Sequence, residues 1–200
     1  MALPATDDFT GTAGTYLSSR TGWTTGQMRA DMYLRTGGYC AAEIAGSTNY
    51  AAYRWIGDAF NGNHYSQALA QALFGSSGIG VTVRCQSASN SYYGFTLNTA
   101  GAKIVRCDSG TLTTLVFDEL TYTAGFTMRL EVNGTALTAI YNGSTVLSTT
   151  DATYSGGGAG IHGTNDLGSS QMIDNWEGGN IGGSSTPVPV FMAQYRQRSA

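Results

Sequence analysis

Two Asn-Gly pairs spaced nine residues apart constrain this chain more than any other feature. They lie in the stretch Arg129 to Gly143, R-L-E-V-N-G-T-A-L-T-A-I-Y-N-G, as Asn133-Gly134 and Asn142-Gly143. Between them Leu130, Val132, Leu137 and Ile140 are apolar, with polar or small residues in the intervening positions. Asn and Gly accept the positive φ of a two-residue type I′ turn, so the segment predicts consecutive antiparallel strands joined by tight hairpins.

The same grammar recurs along the chain. Val81 to Cys85 alternates, and Tyr92–Leu97, Lys103–Cys107 and Leu112–Phe117 follow as strands, with turn residues at Asn98–Gly101 and Asp108-Ser109-Gly110. Tyr50–Trp55 reads as an aromatic-rich strand ahead of a polar loop, and Met172–Glu177 as the last strand. Tyr65–Phe74 is rich in good helix formers, but ten residues are marginal for a helix, and a strand is the expectation. Short strands at intervals of roughly ten residues indicate a sandwich or barrel. With 28 glycines in 200 residues and only 12% charged side chains, the composition suits many tight turns.

A net charge of −3 gives no electrostatic basis for binding nucleic acid. No apolar run reaches the roughly 20 residues of a membrane span, so no membrane insertion is expected. The N-terminus M-A-L-P-A-T-D-D-F has neither a basic nor an apolar leader segment and is read as lacking a signal peptide. Cys40, Cys85 and Cys107 lack metal-ligand spacing and read as small buried thiols, compatible with a reducing compartment. Gly178–Ser185 reads as a linker, followed by T-P-V-P-V-F-M and a terminus carrying two arginines.

The order of motifs resembles the concanavalin A-like (laminin-G-like) jelly rolls. It comprises Asp7-Asp8-Phe9, then Trp23, R-L-E-V-N-G from Arg129, D-x-T-Y-S-x-G-x-x-G-I from Asp151, and Asp174-Asn175-Trp176-Glu177-Gly178. More narrowly it is similar to the versions found as virion proteins of tailed bacteriophages. The resemblance covers about residues 5–180 and is strongest over 125–179. It implies an all-β, two-sheet antiparallel jelly-roll sandwich over residues 1–178; the Gly/Ser, proline and arginine pattern that follows reads as a linker and C-terminal docking arm over 179–200. It also implies that the first and last strands pair, bringing Asp7-Asp8-Phe9 beside Asp174-Asn175-Trp176, with Trp23 and Trp176 in the core.

The function expected on this basis is a non-enzymatic structural protein of the virion, a head decoration or tail-associated, with weak glycan binding. The alternatives are a free carbohydrate-binding module or lectin, and a glycan-cleaving enzyme. Laminarinase-type relatives carry two catalytic carboxylates on one strand face, a spacing that brings them to roughly 5 Å. None of Glu43, Glu119, Glu131 and Glu177 has a second carboxylate at i+2 or i+4. His64 and His162, the two histidines, have no accompanying nucleophile motif.

Sugars are held by aromatic rings with hydroxyl-binding groups around them. Tyr53, Trp55, Asp58, Asn61, His64 and Tyr65 combine these types in one stretch, and Tyr92 with Tyr93 forms a second cluster. The arm residues Pro187, Pro189, Phe191, Met192, Tyr195, Arg196 and Arg198 are candidates for docking on other virion proteins or on further copies of the chain. No cofactor is expected; if the termini pair, Asp8 and Asp174 are the candidate calcium ligands.

Overall fold

A computed structural model describes residues 3–25, 31–43, 50–73, 78–119, 121–164 and 171–182. The described residues form fifteen strands and one 3-10 turn, Leu17–Ser19. The strands are β1 (Ala5–Asp7), β2 (Trp23–Thr25), β3 (Asp31–Arg35), β4 (Tyr39–Glu43), β5 (Tyr50–Trp55), β6 (His64–Ala72), β7 (Ile79–Cys85) and β8 (Tyr92–Asn98). The remainder are β9 (Gly101–Asp108), β10 (Thr111–Asp118), β11 (Phe126–Asn133), β12 (Ala136–Tyr141), β13 (Ser144–Thr150), β14 (Gly158–Thr164) and β15 (Met172–Asn180). One sheet has the order β13-β12-β11-β6-β15-β4-β3, with β1 also paired to β15; the other runs β10-β9-β8-β7-β14-β5-β2. Every pairing is antiparallel. This is the two-sheet jelly-roll sandwich.

The hairpins form as expected, with one shift of register. Tyr141 pairs with Ser144, so Asn142 and Gly143 are the two loop residues, at φ 50° and 75°. That is the type I′ signature. Asn133, however, pairs with Ala136, which makes Gly134-Thr135 the loop. Of these two only Gly134 has positive φ (59°), the type II′ pattern with Gly first.

Residues 65–72 are strand, and the helix alternative is overturned. The alternation in β6 decides it: His64, Ser66, Ala68 and Ala70 are buried, while Tyr65, Gln67 and Leu69 face outward. Among the inward residues, Ser66 Oγ accepts the indole N–H of Trp176 at 2.9 Å.

The first and last strands pair through Ala5–Gly178, Thr6–Glu177 and Asp7–Trp176. β15 carries β1 at one end of this side and β4 at the other, where Met172 pairs with Ala41 and Ile173 with Cys40. Strand β15 runs through to Asn180, so the expected boundary at residue 178 falls inside the sheet. The docking-arm candidates Pro187, Pro189, Phe191, Met192, Tyr195, Arg196 and Arg198 lie outside the described residues.

The core between the sheets holds Phe9, Trp23, Trp55, Trp176, Tyr53, Tyr93, Phe95 and a set of aliphatic side chains. The three indoles pack together, with ring centroids 4.7 Å apart for Trp23–Trp176, 5.3 Å for Trp55–Trp176 and 5.4 Å for Trp23–Trp55. Cys40, Cys85 and Cys107 are buried. Among the described residues no helix is long and apolar enough to cross a membrane.

Candidate functional site

A groove of about 720 Å³ opens where β1, β15, β5 and the turn before β2 meet. Its lining includes Thr6, Asp8, Arg20, Trp55, Asn175 and Glu177. Two local devices shape it.

The first is a β-bulge in β15. Asp174 pairs with Leu69 and Glu177 with Gln67, so three steps along β15 match two along β6. Asn175 and Trp176 together oppose Ala68, and Asn175 takes a left-handed backbone, φ 48°. The extra residue lets Ile173 and Trp176, three apart, both enter the core while Asp174, Asn175 and Glu177 stay accessible. A regular strand would have sent residues 173 and 176 to opposite faces.

The second device is a buried carboxylate. Asp7, only 8% exposed, accepts hydrogen bonds from Arg20 Nε (2.7 Å) and Nη2 (2.6 Å), from the Trp23 indole (2.7 Å) and from the Phe9 backbone N–H (2.8 Å). Its charge is thereby fully paired, as burial demands. The arrangement fixes Arg20 as one wall of the groove, and Asp7 holds the guanidinium pKa above its ordinary value.

Asp8 and Asp174 do converge. Asp174 is pushed above the usual carboxylate range, first by burial and also by the Asp8 charge, while Asp8 itself is lowered by the Thr10 backbone and hydroxyl hydrogen bonds. As a calcium cage the pair falls short. Asp8 Oδ1 is engaged by Thr10 N and Oγ1, and Asp174 Oδ1 by Asn175 N, whereas Ca²⁺ collects about six to eight oxygens. Among the described residues no group of three or more His, Cys, Asp or Glu side chains is placed to hold a metal.

Beside the groove, the outer face of the eight-stranded sheet carries an ordered polar array. Thr6, Glu177, Gln67, Arg129 and Ile140 stand in one row across five adjacent strands; Gly179, Tyr65, Glu131 and Thr138 stand in the next. The Tyr65 hydroxyl donates to Glu177 Oε1 at 2.5 Å, and the Arg129 guanidinium lies 3.5 Å from the Tyr65 ring centroid. Arg129 also donates to Glu131 Oε1 at 2.6 Å and to Gln67 Oε1 at 3.0 Å. Gly179 is required there: a Cβ on it would sit 2.6 Å from the Tyr65 hydroxyl oxygen and 2.7 Å from its ring. Burial and the Glu177 hydrogen bond push the Tyr65 phenol up to about 12, so it stays a donor.

Of the glycan candidates read from sequence, Trp55 lines the groove, its indole N–H donating to Asp58 at 3.0 Å, and Tyr65 reaches the groove through Glu177. Asn61 shapes its own loop: its backbone N–H donates to Asn180, its side chain accepts from Asn63 N, and its carbonyl accepts from His64. Tyr53, His64, Tyr92 and Tyr93 are at most 2% exposed, so none presents a ring face to a sugar. Tyr53 and Tyr93 belong to the main core, and Tyr92 packs with Ala52, Cys85 and Cys107 in a second small cluster. These four are corrections to the sequence reading: Tyr53 and Tyr93 point between the sheets, His64 is an inward position of the alternating β6, and Tyr92, on the opposite face of β8 from Tyr93, is covered by the second cluster.

His64 is locked as the neutral Nδ1–H tautomer. Nδ1 donates to Asn61 O at 2.7 Å, and Nε2 accepts the Arg84 N–H at 3.0 Å. Burial depresses its pKa to about 4, and that of the fully buried His162 to about 3. Asn175 is expected from sequence beside Asp8, through the pairing of the termini; Arg20, Arg129, Gln67 and the placing of Glu131 and Glu177 on one face are not. Spacing along one strand cannot reveal such a pair, because Glu131 and Glu177 flank β6 on strands about 10 Å apart.

No protein-family model matches the sequence, and no curated protein sequence does. Solved structures do match. The carbohydrate-binding module CBM66 from Bacillus subtilis superposes with a TM-score of 0.60 at 12% identity, covering 80% of this chain and 96% of that one. The VIP36 exoplasmic/lumenal domain in its Ca²⁺-bound form gives 0.60 at 11%, covering 90% of both chains. The Bacillus licheniformis beta-glucanase gives 0.59 at 8%, covering 89% and 98%. At these identities the likeness is one of fold, the concanavalin A-like jelly roll found in lectins, carbohydrate-binding modules and glucanases.

Proposed function

We propose that this chain is a carbohydrate-binding protein whose site is the groove at the β1–β15 seam. The observation that carries the reading is the groove itself: the edge of Trp55 at its base, backed from the core by the buried Trp176, with Asp8, Arg20, Asn175 and Glu177 around it. An apolar base bounded by a few positioned polar groups is the arrangement that sugar recognition uses. The left-handed Asn175 and its bulge, costing of order 1 kcal/mol in backbone strain, are the kind of local irregularity that gathers at binding sites. Carbohydrate-binding structural neighbours support the same reading. Binding is favoured because Tyr65 and Arg129 each hold Oε1 of Glu177 and Glu131 in place, which leaves the second oxygen of each carboxylate to accept a sugar hydroxyl.

A glycan array probed with the whole chain and with a D8A/N175A double variant tests it. The expected result is binding by the native chain that falls at least tenfold in the variant. Native binding that survives both changes would move the site elsewhere, and no binding at millimolar sugar would overturn the reading. A tailed-phage virion remains the setting suggested by the motif resemblance, with the linker ahead of residues 186–200 motivating a tether. Deleting those residues should then leave glycan binding intact and prevent incorporation into particles; normal incorporation would refute the tether.

A further inference from the structure

The groove does not end at Glu177. That side chain belongs both to the groove wall and to the row Thr6–Glu177–Gln67–Arg129–Ile140 on the outer sheet face. The row spans four strand-to-strand steps, about 19 Å. Its side chains are held in place by one another: Tyr65 clamps Glu177, and Arg129 lies on the Tyr65 ring while gripping Glu131 and Gln67. Tyr65 lies over Gly179 on one side and under Arg129 on the other, so its ring serves as support rather than as a stacking platform. A surface so ordered before any ligand arrives loses little side-chain entropy on binding.

Charge narrows what can lie along it. Among the described residues of the groove and the two rows, Asp7 and Arg20 cancel, leaving the carboxylates of Asp8, Glu177 and Glu131 against the guanidinium of Arg129. A polyanion would meet like charge at several successive positions.

Resting on the groove reading, we infer that groove and row form one continuous strip that takes an internal stretch of an uncharged or amino-bearing polysaccharide, several sugar units long, and rejects uronate or sulfated chains. Neighbouring ring hydroxyls are bound by Gln67, Arg129, Glu131 and Glu177, while the groove holds one end of the stretch.

Calorimetric titration of the full chain tests this with cello-, laminari-, manno-, chito- and chitosan hexamers, the matching disaccharides and a hexauronate. At least one neutral or amino hexamer is expected to bind ten or more times tighter than its disaccharide, and the hexauronate not at all. A Q67A/E131Q variant alters two outward-facing side chains clear of the core. It should lower hexamer affinity about tenfold and leave disaccharide affinity unchanged. Hexamer and disaccharide binding alike, with both insensitive to Q67A/E131Q, would overturn the strip while leaving the groove as the site. A hexauronate bound as tightly as the neutral chains would overturn the charge selection. If no sugar of either length binds, the groove reading fails and the strip fails with it.

Discussion

Asn175 in β15 and Arg84 in β7 are each an inserted residue at a β-bulge, and each has a left-handed backbone, φ 48° and 51°. The molecule puts them to opposite uses. At Asn175 the extra residue opens outward and places polar groups beside a groove. At Arg84, where Cys85 pairs with Gly158 and Thr82 with Gly160, everything turns inward. The backbone N–H donates to His64 Nε2. The guanidinium donates to Gly62 O (2.8 Å), Gly134 O (2.6 Å) and Tyr154 O (2.5 Å), tying three loops together with a residue only 3% exposed. One bulge thus supplies stability and the other a surface. Selection for binding tolerates unsatisfied, accessible polar groups that a stability element must pair.

Acidification separates the two ends most strongly. His64 and His162 have folded pKa values of about 4 and about 3, against 6.5 when unfolded. Between these values the unfolded chain binds more protons. Their stabilisation is therefore complete above pH 6.5 and is lost as pH falls toward 4 and then 3. The two together are expected to cost of order 4 kcal/mol between pH 7 and pH 4.5. Asp174, next to Asn175 at the bulge in β15, has the opposite sign: its raised folded pKa penalises the native state at neutral pH, and acid relieves that penalty. Denaturant titrations at the two pH values measure the difference. A native chain whose stability is flat over that range would remove the sealed, neutral histidines from the account.

Arg84→Met comes next in size. Burial already pulls the Arg84 pKa below its ordinary value, an expense tolerated because a charged donor reaches three carbonyls at once. Removing it leaves Gly62, Gly134 and Tyr154 without their partner, and a loss of about 3 kcal/mol is expected. In a chain of this length that lowers the midpoint of thermal unfolding by about 10 °C. Arg84→Lys should recover little of it, since a single ammonium cannot span three loops. A cost below about 1 kcal/mol for Arg84→Met would show that the two bulges do not differ in kind.

How much of this could be read in the sequence follows from how local each cause is. Asn142-Gly143 is legible because a type I′ turn is specified by two adjacent residues. The β1–β15 pairing was legible only through the ordered motifs at both ends of the chain, since Ala5 and Gly178 share no local signal. Arg84 sits in V-T-V-R-C, which alternates well enough to pass for a plain strand. Nothing nearby reveals a bulge whose purpose is a carbonyl fifty residues away at Gly134. Glu131, Tyr65 and Glu177 meet only because β11, β6 and β15 are neighbours, which no spacing along the chain reveals. His64 reads as a glycan candidate from its polar and aromatic neighbours in sequence. The small inward residues Ser66, Ala68 and Ala70 carry the pattern that excludes it, because they put even-numbered positions of β6 in the core.

The smallest expected effect bears most directly on the comparison. Asn175→Gly removes a side chain from the groove and relieves the left-handed backbone, since Gly adopts positive φ without steric cost. Against this stand the greater entropy of the unfolded Gly chain and the loss of side-chain contacts, so the net stability change should stay within about 0.5 kcal/mol of zero. Glycan affinity should nonetheless fall several-fold. Asn175→Val, which cannot take φ 48° comfortably, should cost about 1–2 kcal/mol and disturb the positions of Asp174 and Glu177 together. Paired denaturant and binding titrations on the two variants read both quantities. If Asn175→Gly destabilises the chain as much as Arg84→Met, the bulge in β15 is itself a structural staple, and the groove would have to be read as its by-product rather than its purpose.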